Sequence, residues 1–231
     1  MHLGLLQCGA TPEALDPVHG SYPALYGRLL GTGFEWTTWR VFDDEWPDGP
    51  GDAEGWLVSG SRHGAYEDHA WIAPLEALLR DIAASGRPLV GICFGHQIVA
   101  QALGGRVEKF GGGWSIGRRA YEIDGETWHL NAWHQDQVVV PPSGARTFAA
   151  NDFTLHAGLA IGENILTLQP HPEFSPDYIA DMIASREGGK EPQHLLDAAR
   201  DALPLEVDNG RMGRRLAEFF REKARDAKED A

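Results

Sequence analysis

The chain has 231 residues, with 34 acidic and 20 basic side chains and a formal net charge of -14 at pH 7. This length suits one α/β domain with a small appended segment, and it allows a substantial buried core. The acidic balance argues against binding to a phosphate backbone, because counterion release needs clustered Lys and Arg. We therefore expect no nucleic-acid partner.

Cysteine content and the first residues indicate the compartment. Cys8 and Cys93 are too few for a disulfide framework, and the opening MHLGLLQCGA shows no basic region or cleavage pattern. No apolar run approaches the roughly 18 to 20 residues of a membrane span. We expect a cytoplasmic protein with reduced thiols and no membrane association.

Short apolar segments alternate with helical patterns over the first hundred residues. This alternation predicts an α/β fold, a doubly wound, mostly parallel sheet with helices on both faces. The predicted strands cover residues 2–7, 34–42, 55–60 and 87–92, and the predicted helices lie near 22–32, 69–85 and 95–103.

The pattern then changes. Between about residues 106 and 168, short strands separated by Gly, Pro and Asn turns predict largely antiparallel pairing. Beyond Ser175 the pattern is helical, and the last helix has an apolar stripe with Leu216 and Phe220. We expect a main domain over residues 1–185 and a C-terminal helical extension, 186–231, packed on it.

The stretch PLVGICFGHQIVAQALGG, residues 88–105, places Cys93 between a strand and a helix. Gly91 and Gly95 flank it as G-x-C-x-G, which is the layout of a nucleophile elbow. The helix N-terminus favours the thiolate form of the cysteine, and the N–H of Phe94 could bind an oxyanion beside the sulfur. The alternative is a cysteine packed in the core.

A cysteine nucleophile needs a base, and the base needs a group that orients it. LTLQPHPEF, after the last predicted strand, provides His171 and Glu173. If the segment is extended, these side chains share a face, and the carboxylate can fix the imidazole tautomer. Taken alone, the H-P-E segment is typical of a surface histidine in a turn.

Four segments in order resemble a class I glutamine amidotransferase domain, between about Leu3 and Ile183. They are SGS (59–61), GICFGHQIVAQALGG (91–105), WHQDQV (133–138) and QPHPEF (169–174). The resemblance implies a flavodoxin-like fold with Cys93 as nucleophile, His171 as general base and acid, and Glu173 as its orienting group. A glutamyl thioester would form with loss of ammonia, and water would then release glutamate.

The resemblance also assigns binding positions. Gly60 and Ser61 would supply a second oxyanion N–H beside that of Phe94. Ser61 and Arg62 stand where ammonia-transferring members usually have Gly and Pro, so Arg62 and Tyr66 would reshape the mouth of the pocket. The SGS form is similar to the stand-alone branch that includes γ-glutamyl peptidases. The alternative is a loop with no role.

Four further residues are candidate substrate ligands. Gln97 lies one helical turn after Cys93 on the same side, although it could equally brace the elbow. Trp133, His134 and Gln135 belong to a loop that lies beside the substrate in the similar family, although Trp133 could be a packing residue. The sequence shows no H-x-x-x-H, C-x-x-C or nucleotide-binding glycine spacing, so we expect neither a metal nor another cofactor.

Three functions remain open. The first is a stand-alone hydrolase of a small γ-glutamyl substrate, either glutamine or a γ-glutamyl amide or peptide. The second is a glutaminase subunit that delivers ammonia to a separate synthetase partner, and the third is a binding or regulatory protein; a homo-oligomer is compatible with each. An α/β-hydrolase would place its acid before its histidine on a separate loop, whereas here the histidine precedes an adjacent acid.

Overall fold

The computed structural model describes residues 1–186 and 188–229 of the chain, with side chains through residue 226. The strands are β1 (His2–Gln7), β2 (Glu35–Arg40), β3 (Gly55–Val58), β4 (Leu89–Ile92), β5 (Arg106–Lys109), β6 (Ser115–Ile123), β7 (Glu126–His134), β8 (Asp136–Val140), β9 (Arg146–Ala150), β10 (Gly158–Ile161) and β11 (Ile165–Leu168). The α-helices are α1 (Asp16–His19), α2 (Tyr22–Leu30), α3 (Ile72–Ala84), α4 (Phe94–Ala102), α5 (Pro176–Arg186), α6 (Gln193–Asp201) and α7 (Asn209–Glu229).

Nine strands form one sheet in the order β2-β1-β3-β4-β11-β10-β9-β6-β7. The neighbours from β2 through β11 are parallel, and those from β11 through β7 are antiparallel. β5 and β8 pair separately as an antiparallel ribbon. The predicted fold class is confirmed, and β11 returns from the antiparallel section to lie directly beside β4.

Helices cover both faces of the sheet, because successive strand residues point to opposite sides. On β1, Leu3 and Leu5 join the apolar cluster that contains side chains of α2, α5, α6 and α7. Leu6 points the other way, into the cluster that contains side chains of α3 and α4. Both faces of the central strands are therefore buried.

The C-terminal helices pack on the same core as the rest of the chain. Leu216 and Phe220 of α7 belong to the cluster that also holds Leu3 and Leu5 of β1. Close to the sheet, α6 lies so near β6 that a Cβ on Gly117 would meet the Cβ of Ala199. Residues 187, 230 and 231 of the predicted extension lie outside the described residues.

Two glycines allow α4 to begin directly after β4. A Cβ on Gly91 would overlap the carbonyl oxygen of Gly95, and a Cβ on Gly95 would overlap the carbonyl oxygen of Val58 in the neighbouring β3. Both clashes involve backbone atoms, which cannot rotate away as a side chain can. The G-x-C-x-G pattern is thus required by the close approach of the helix to the sheet.

Gly95→Ala should lower the free energy of unfolding by about 1–3 kcal/mol, the range of overpacking substitutions. Gly27→Ala is the matched control, because no atom lies within 4 Å of a Cβ at this position inside α2. It should be neutral or stabilising by up to about 1 kcal/mol. Urea unfolding followed by tryptophan fluorescence measures both. Equal stability of Gly95→Ala and wild type would contradict the close packing of α4 on β3.

Candidate active site

Cys93 occupies the corner between β4 and α4 in a strained conformation. Its φ of 54° and ψ of -104° lie in a region that residues with a side chain rarely adopt. The Cys93 N–H donates to the Leu168 carbonyl at 2.8 Å, which ties the corner to the end of β11. The side chain is 6% exposed, and it lies at the N-terminus of α4, where the helix dipole favours negative charge.

His171 and Glu173 lie next to this corner, on the turn that follows β11. The His171 Nδ1–H donates to Glu173 Oε1 at 2.7 Å, and the Glu173 side chain is completely buried. The expected extended segment is wrong: residues 172 and 173 form a turn, closed by Phe174 N–H to the His171 carbonyl at 3.3 Å. The two side chains meet because the backbone folds back, rather than by strand alternation.

The His171 ring also interacts with the Cys93 side chain. Because Nδ1 is bonded to Glu173, Nε2 is the nitrogen that remains for an interaction with the sulfur. Burial by itself would lower the pKa of His171, but the Cys93 sulfur and the Glu173 carboxylate together raise it to about 10. The imidazole is therefore held as a cation between two acidic groups.

Tyr26 of α2 links the acid to the loop after β3. Its hydroxyl donates to Glu173 Oε1 at 3.3 Å and accepts from the Gly60 N–H at 3.3 Å. Burial first, and then the charge of Glu173, raise the pKa of Tyr26 well above its usual range, so this hydroxyl stays a neutral donor. Sequence patterns did not indicate this residue, because nothing local distinguishes it from an apolar helix position.

The structure changes the expected oxyanion donors at one position. The Gly60 N–H already donates to Tyr26, so it is not free for a substrate. The N–H groups of Ser61 and Phe94 donate to no other residue within the described chain. Gly60 has another role, because a Cβ there would lie 2.8 Å from the Tyr22 hydroxyl and 3.1 Å from His171 Cε1.

Gln97 braces the site in this structure. Its amide nitrogen donates to the Asp136 carbonyl at 2.9 Å and to Gln169 Oε1 at 3.0 Å, so its N–H groups are occupied by protein acceptors. The resemblance assigned Gln97 to substrate binding, with bracing of the elbow as the alternative, and these two N–H donations are of the bracing kind. The residue instead joins α4 to the starts of β8 and of the turn that carries His171.

The WHQDQV residues lie at the end of β7 and the start of β8. Trp133 is buried in the core cluster, which matches the packing alternative, and His134 Nδ1 lies 3.2 Å from the Asp136 carbonyl. Burial lowers the pKa of His134 to about 3, so this ring is neutral. Gln135 contacts the Phe110 carbonyl through its amide at 3.5 Å.

Arg62 and Tyr66 lie on the outer part of the loop between β3 and α3, and both are exposed. The Tyr66 hydroxyl donates to Asp136 Oδ1 at 3.1 Å, which fastens the loop to the start of β8. Arg62 contacts the neighbouring His63 ring. Asp136 is a second residue that sequence patterns did not indicate, although it belongs to the WHQDQV segment.

A model of the family described as "Glutamine amidotransferase class-I" matches residues 37–185. The chain belongs to this family. The match spans β3, β4, the elbow and the turn that carries His171 and Glu173, whereas it ends before α6 and α7.

Similar proteins differ in how much of this chain they match. "Gamma-glutamyl peptidase 4" of Arabidopsis thaliana is 28% identical, over 91% of this chain and 92% of its own length. "GMP synthase [glutamine-hydrolyzing]" of Thermus thermophilus is 32% identical over 55% of this chain, which corresponds to only 30% of that protein. A solved structure, a glutamine amido transferase from Methylobacillus flagellatus, aligns with a TM-score of 0.70 at 19% identity, covering 96% of this chain and 93% of its own. This last likeness shows the fold.

No helix in the described part of the chain is both long enough and apolar enough to span a bilayer.

The proton on His171 can be followed directly. We expect the His171 imidazole to titrate near pH 10 in nitrogen-detected NMR, and at lower pH in Cys93→Ala, because one of the two groups that raise its pKa is gone. A folded pKa above the unfolded value of 6.5 stabilises the fold fully below pH 6.5 and ceases to do so as the pH rises through about 10. His156 is the internal control, because burial lowers its pKa in both proteins. An unchanged His171 midpoint in Cys93→Ala would exclude the contact with the thiol.

Proposed function

We propose that the protein is a cysteine-nucleophile hydrolase of the γ-glutamyl amide bond. The observation that carries the proposal is the strained Cys93 at the elbow, next to a His171 that is held by the buried Glu173. These are the three parts that nucleophilic acyl transfer requires: nucleophile, proton carrier and orienting group.

Each step uses a group at the site. The Cys93 sulfur attacks the γ-carbonyl carbon, and the N–H groups of Ser61 and Phe94 stabilise the resulting oxyanion. The C–N bond then breaks, and His171 gives its proton to the leaving amine or ammonia. Water attacks the glutamyl thioester while His171 takes up a proton, and glutamate leaves with Cys93 restored as a thiolate.

The preferred substrate class is a small γ-glutamyl compound, processed without a partner. The support is the match to gamma-glutamyl peptidase 4, which extends over more than nine-tenths of this chain, and the Ser61–Arg62 sequence in the loop beside the site. α6 and α7 lie outside the matched family segment.

The alternative within the same chemistry is a glutaminase subunit that passes ammonia to a synthetase. Its support is the 32% identity to part of a GMP synthase. This function predicts weak activity in isolation and a large activation by a second protein. A binding or regulatory role is less economical, because Cys93, His171 and Glu173 would then be held together for no chemical reason.

The purified protein alone should release glutamate from one or more of glutamine, glutathione, γ-glutamyl dipeptides and γ-glutamyl amides. Cys93→Ala should abolish release, His171→Ala should lower kcat by about 10³-fold or more, and Glu173→Gln by less, since orientation contributes less than the nucleophile. A coupled glutamate assay, with the amine product identified by mass spectrometry, measures both rate and substrate.

Cys8→Ala is the control for loss of a thiol, because Cys8 is buried in the cluster on the opposite face of the sheet. It should retain activity. Release that persists in Cys93→Ala would exclude the thioester. Absence of release from every compound would favour the partner-dependent glutaminase, and the synthetase would then be sought.

Tyr26→Phe tests the hydroxyl that joins Glu173 to Gly60. It should lower kcat about tenfold with little change in KM, and shift the alkaline limb of the kcat–pH profile, because the hydrogen bond to Glu173 is lost. Tyr22→Phe is the matched control: its ring stacks on Tyr26 at 5.6 Å. The hydrogen bonds to Glu173 and Gly60 are made by the Tyr26 hydroxyl and not by that of Tyr22. Equal kinetics of the two variants would remove any positioning role for Tyr26.

A further inference from the structure

Three metal-ligating side chains meet on the loop between β3 and α3, outside the Cys93 site. They are His63, Glu67 and His69, and one nitrogen or oxygen of each lies within 4.8 Å of the others. The sequence pattern does not predict a metal site here, because the spacing H-x-x-x-E-x-H is not one of the usual metal-binding patterns. We propose that these three residues form a binding site for a divalent transition metal ion of the zinc type.

The distances suit a small ion. Glu67 Oε2 lies 3.3 Å from His63 Nδ1 and 2.8 Å from His69 Nε2. Two ligands of a tetrahedral zinc ion, each at about 2.0–2.1 Å from the metal, are about 3.3 Å apart. One pair already has this separation, and the other needs to open by about half an ångström, which is within side-chain motion on a partly exposed loop.

The donor set also suits the metal. Two imidazoles and one carboxylate are the protein ligands of open zinc sites, which leave a fourth position for water. The side chains of His63, Glu67 and His69 are 25%, 43% and 35% exposed, so an ion can reach them from solvent. Oxygen-only ions such as Mg²⁺ and Ca²⁺ are disfavoured by two nitrogen ligands.

The ligands are supported from behind. The His69 ring stacks on the Trp71 ring, with 5.9 Å between the ring centroids and 11° between the ring planes. The centroid of the Trp71 ring lies 5.5 Å from that of Phe94. The His63 N–H donates to Ser61 Oγ at 3.2 Å. The proposed metal site therefore joins two segments that both lead to the oxyanion donors, Ser61 and Phe94, without including any residue of the Cys93–His171–Glu173 set.

The positive charge of Arg62 opposes a cation at this site. Its Nε lies 3.5 Å from His63 Nε2, on the side of the ring away from Glu67. Binding of metal through Nδ1 puts the imidazole proton on Nε2, so the guanidinium must turn away. Removing this charge in Arg62→Ala should strengthen metal binding severalfold, whereas removing a ligand should weaken it.

The test uses the full-length Cys93→Ala protein without an affinity tag, so that the active-site thiol and a histidine tag cannot bind the metal. Co²⁺ is titrated while the visible d–d absorption is recorded, and Zn²⁺ is measured by calorimetry. We expect one ion per chain, a tetrahedral or five-coordinate Co²⁺ spectrum, and at least a tenfold loss of affinity in His69→Ala and in Glu67→Gln.

His129→Ala is the matched control, since His129 is a partly exposed histidine 4.0 Å from a carboxylate of Asp208 and belongs to no group of three metal-ligating side chains among the described residues. It should bind metal as the parent does. Loss of less than twofold in both His69→Ala and Glu67→Gln, a stoichiometry other than one, or no bound Co²⁺ would overturn the proposal. These readouts do not depend on turnover, so their outcome is separate from that of the proposed hydrolase function.

Discussion

The positive φ at Cys93 is the constraint on which the rest of the site depends. It is possible only because β4 ends in the middle of a parallel sheet and α4 begins at once, with Gly91 and Gly95 allowing backbone to approach backbone. The hydrogen bond from Cys93 N–H to Leu168 then fixes β11 beside β4. The turn after β11 therefore emerges beside the thiol, and His171 comes from a segment 78 residues away in the chain.

The buried pair of His171 and Glu173 is the second constraint. A carboxylate removed from water is costly unless a charge and hydrogen bonds compensate it, and here an imidazolium and the Tyr26 hydroxyl do so at one oxygen. The other oxygen, Oε2, has no hydrogen-bond partner among the described residues. Burial lowers the pKa of His171, but the Cys93 sulfur and the Glu173 carboxylate together raise it above its usual range.

The loop between β3 and α3 connects the reaction site to solvent. Its inner end carries Gly60, whose N–H donates to Tyr26, and its outer part holds the His63, Glu67 and His69 side chains in one cluster. The Tyr66 bond to Asp136 and the stacking of His69 on Trp71 support this loop from two sides. A ligand of the His63, Glu67 and His69 cluster would therefore restrict the motion of this loop without contacting Cys93, His171 or Glu173.

The sequence by itself determined the alternation of strands and helices, the elbow at Cys93 and the choice of His171 and Glu173, because these depend on local periodicity, glycine spacing and residue type. Only the tertiary structure decided how they meet. It showed that His171 and Glu173 pair through a turn rather than a strand, that the N–H groups of Gln97 and Gly60 donate to protein partners, and that Tyr26 joins Glu173 to the loop after β3. Most of these contacts join residues from different elements. Local sequence contains no information on which donor pairs with which acceptor in the folded chain.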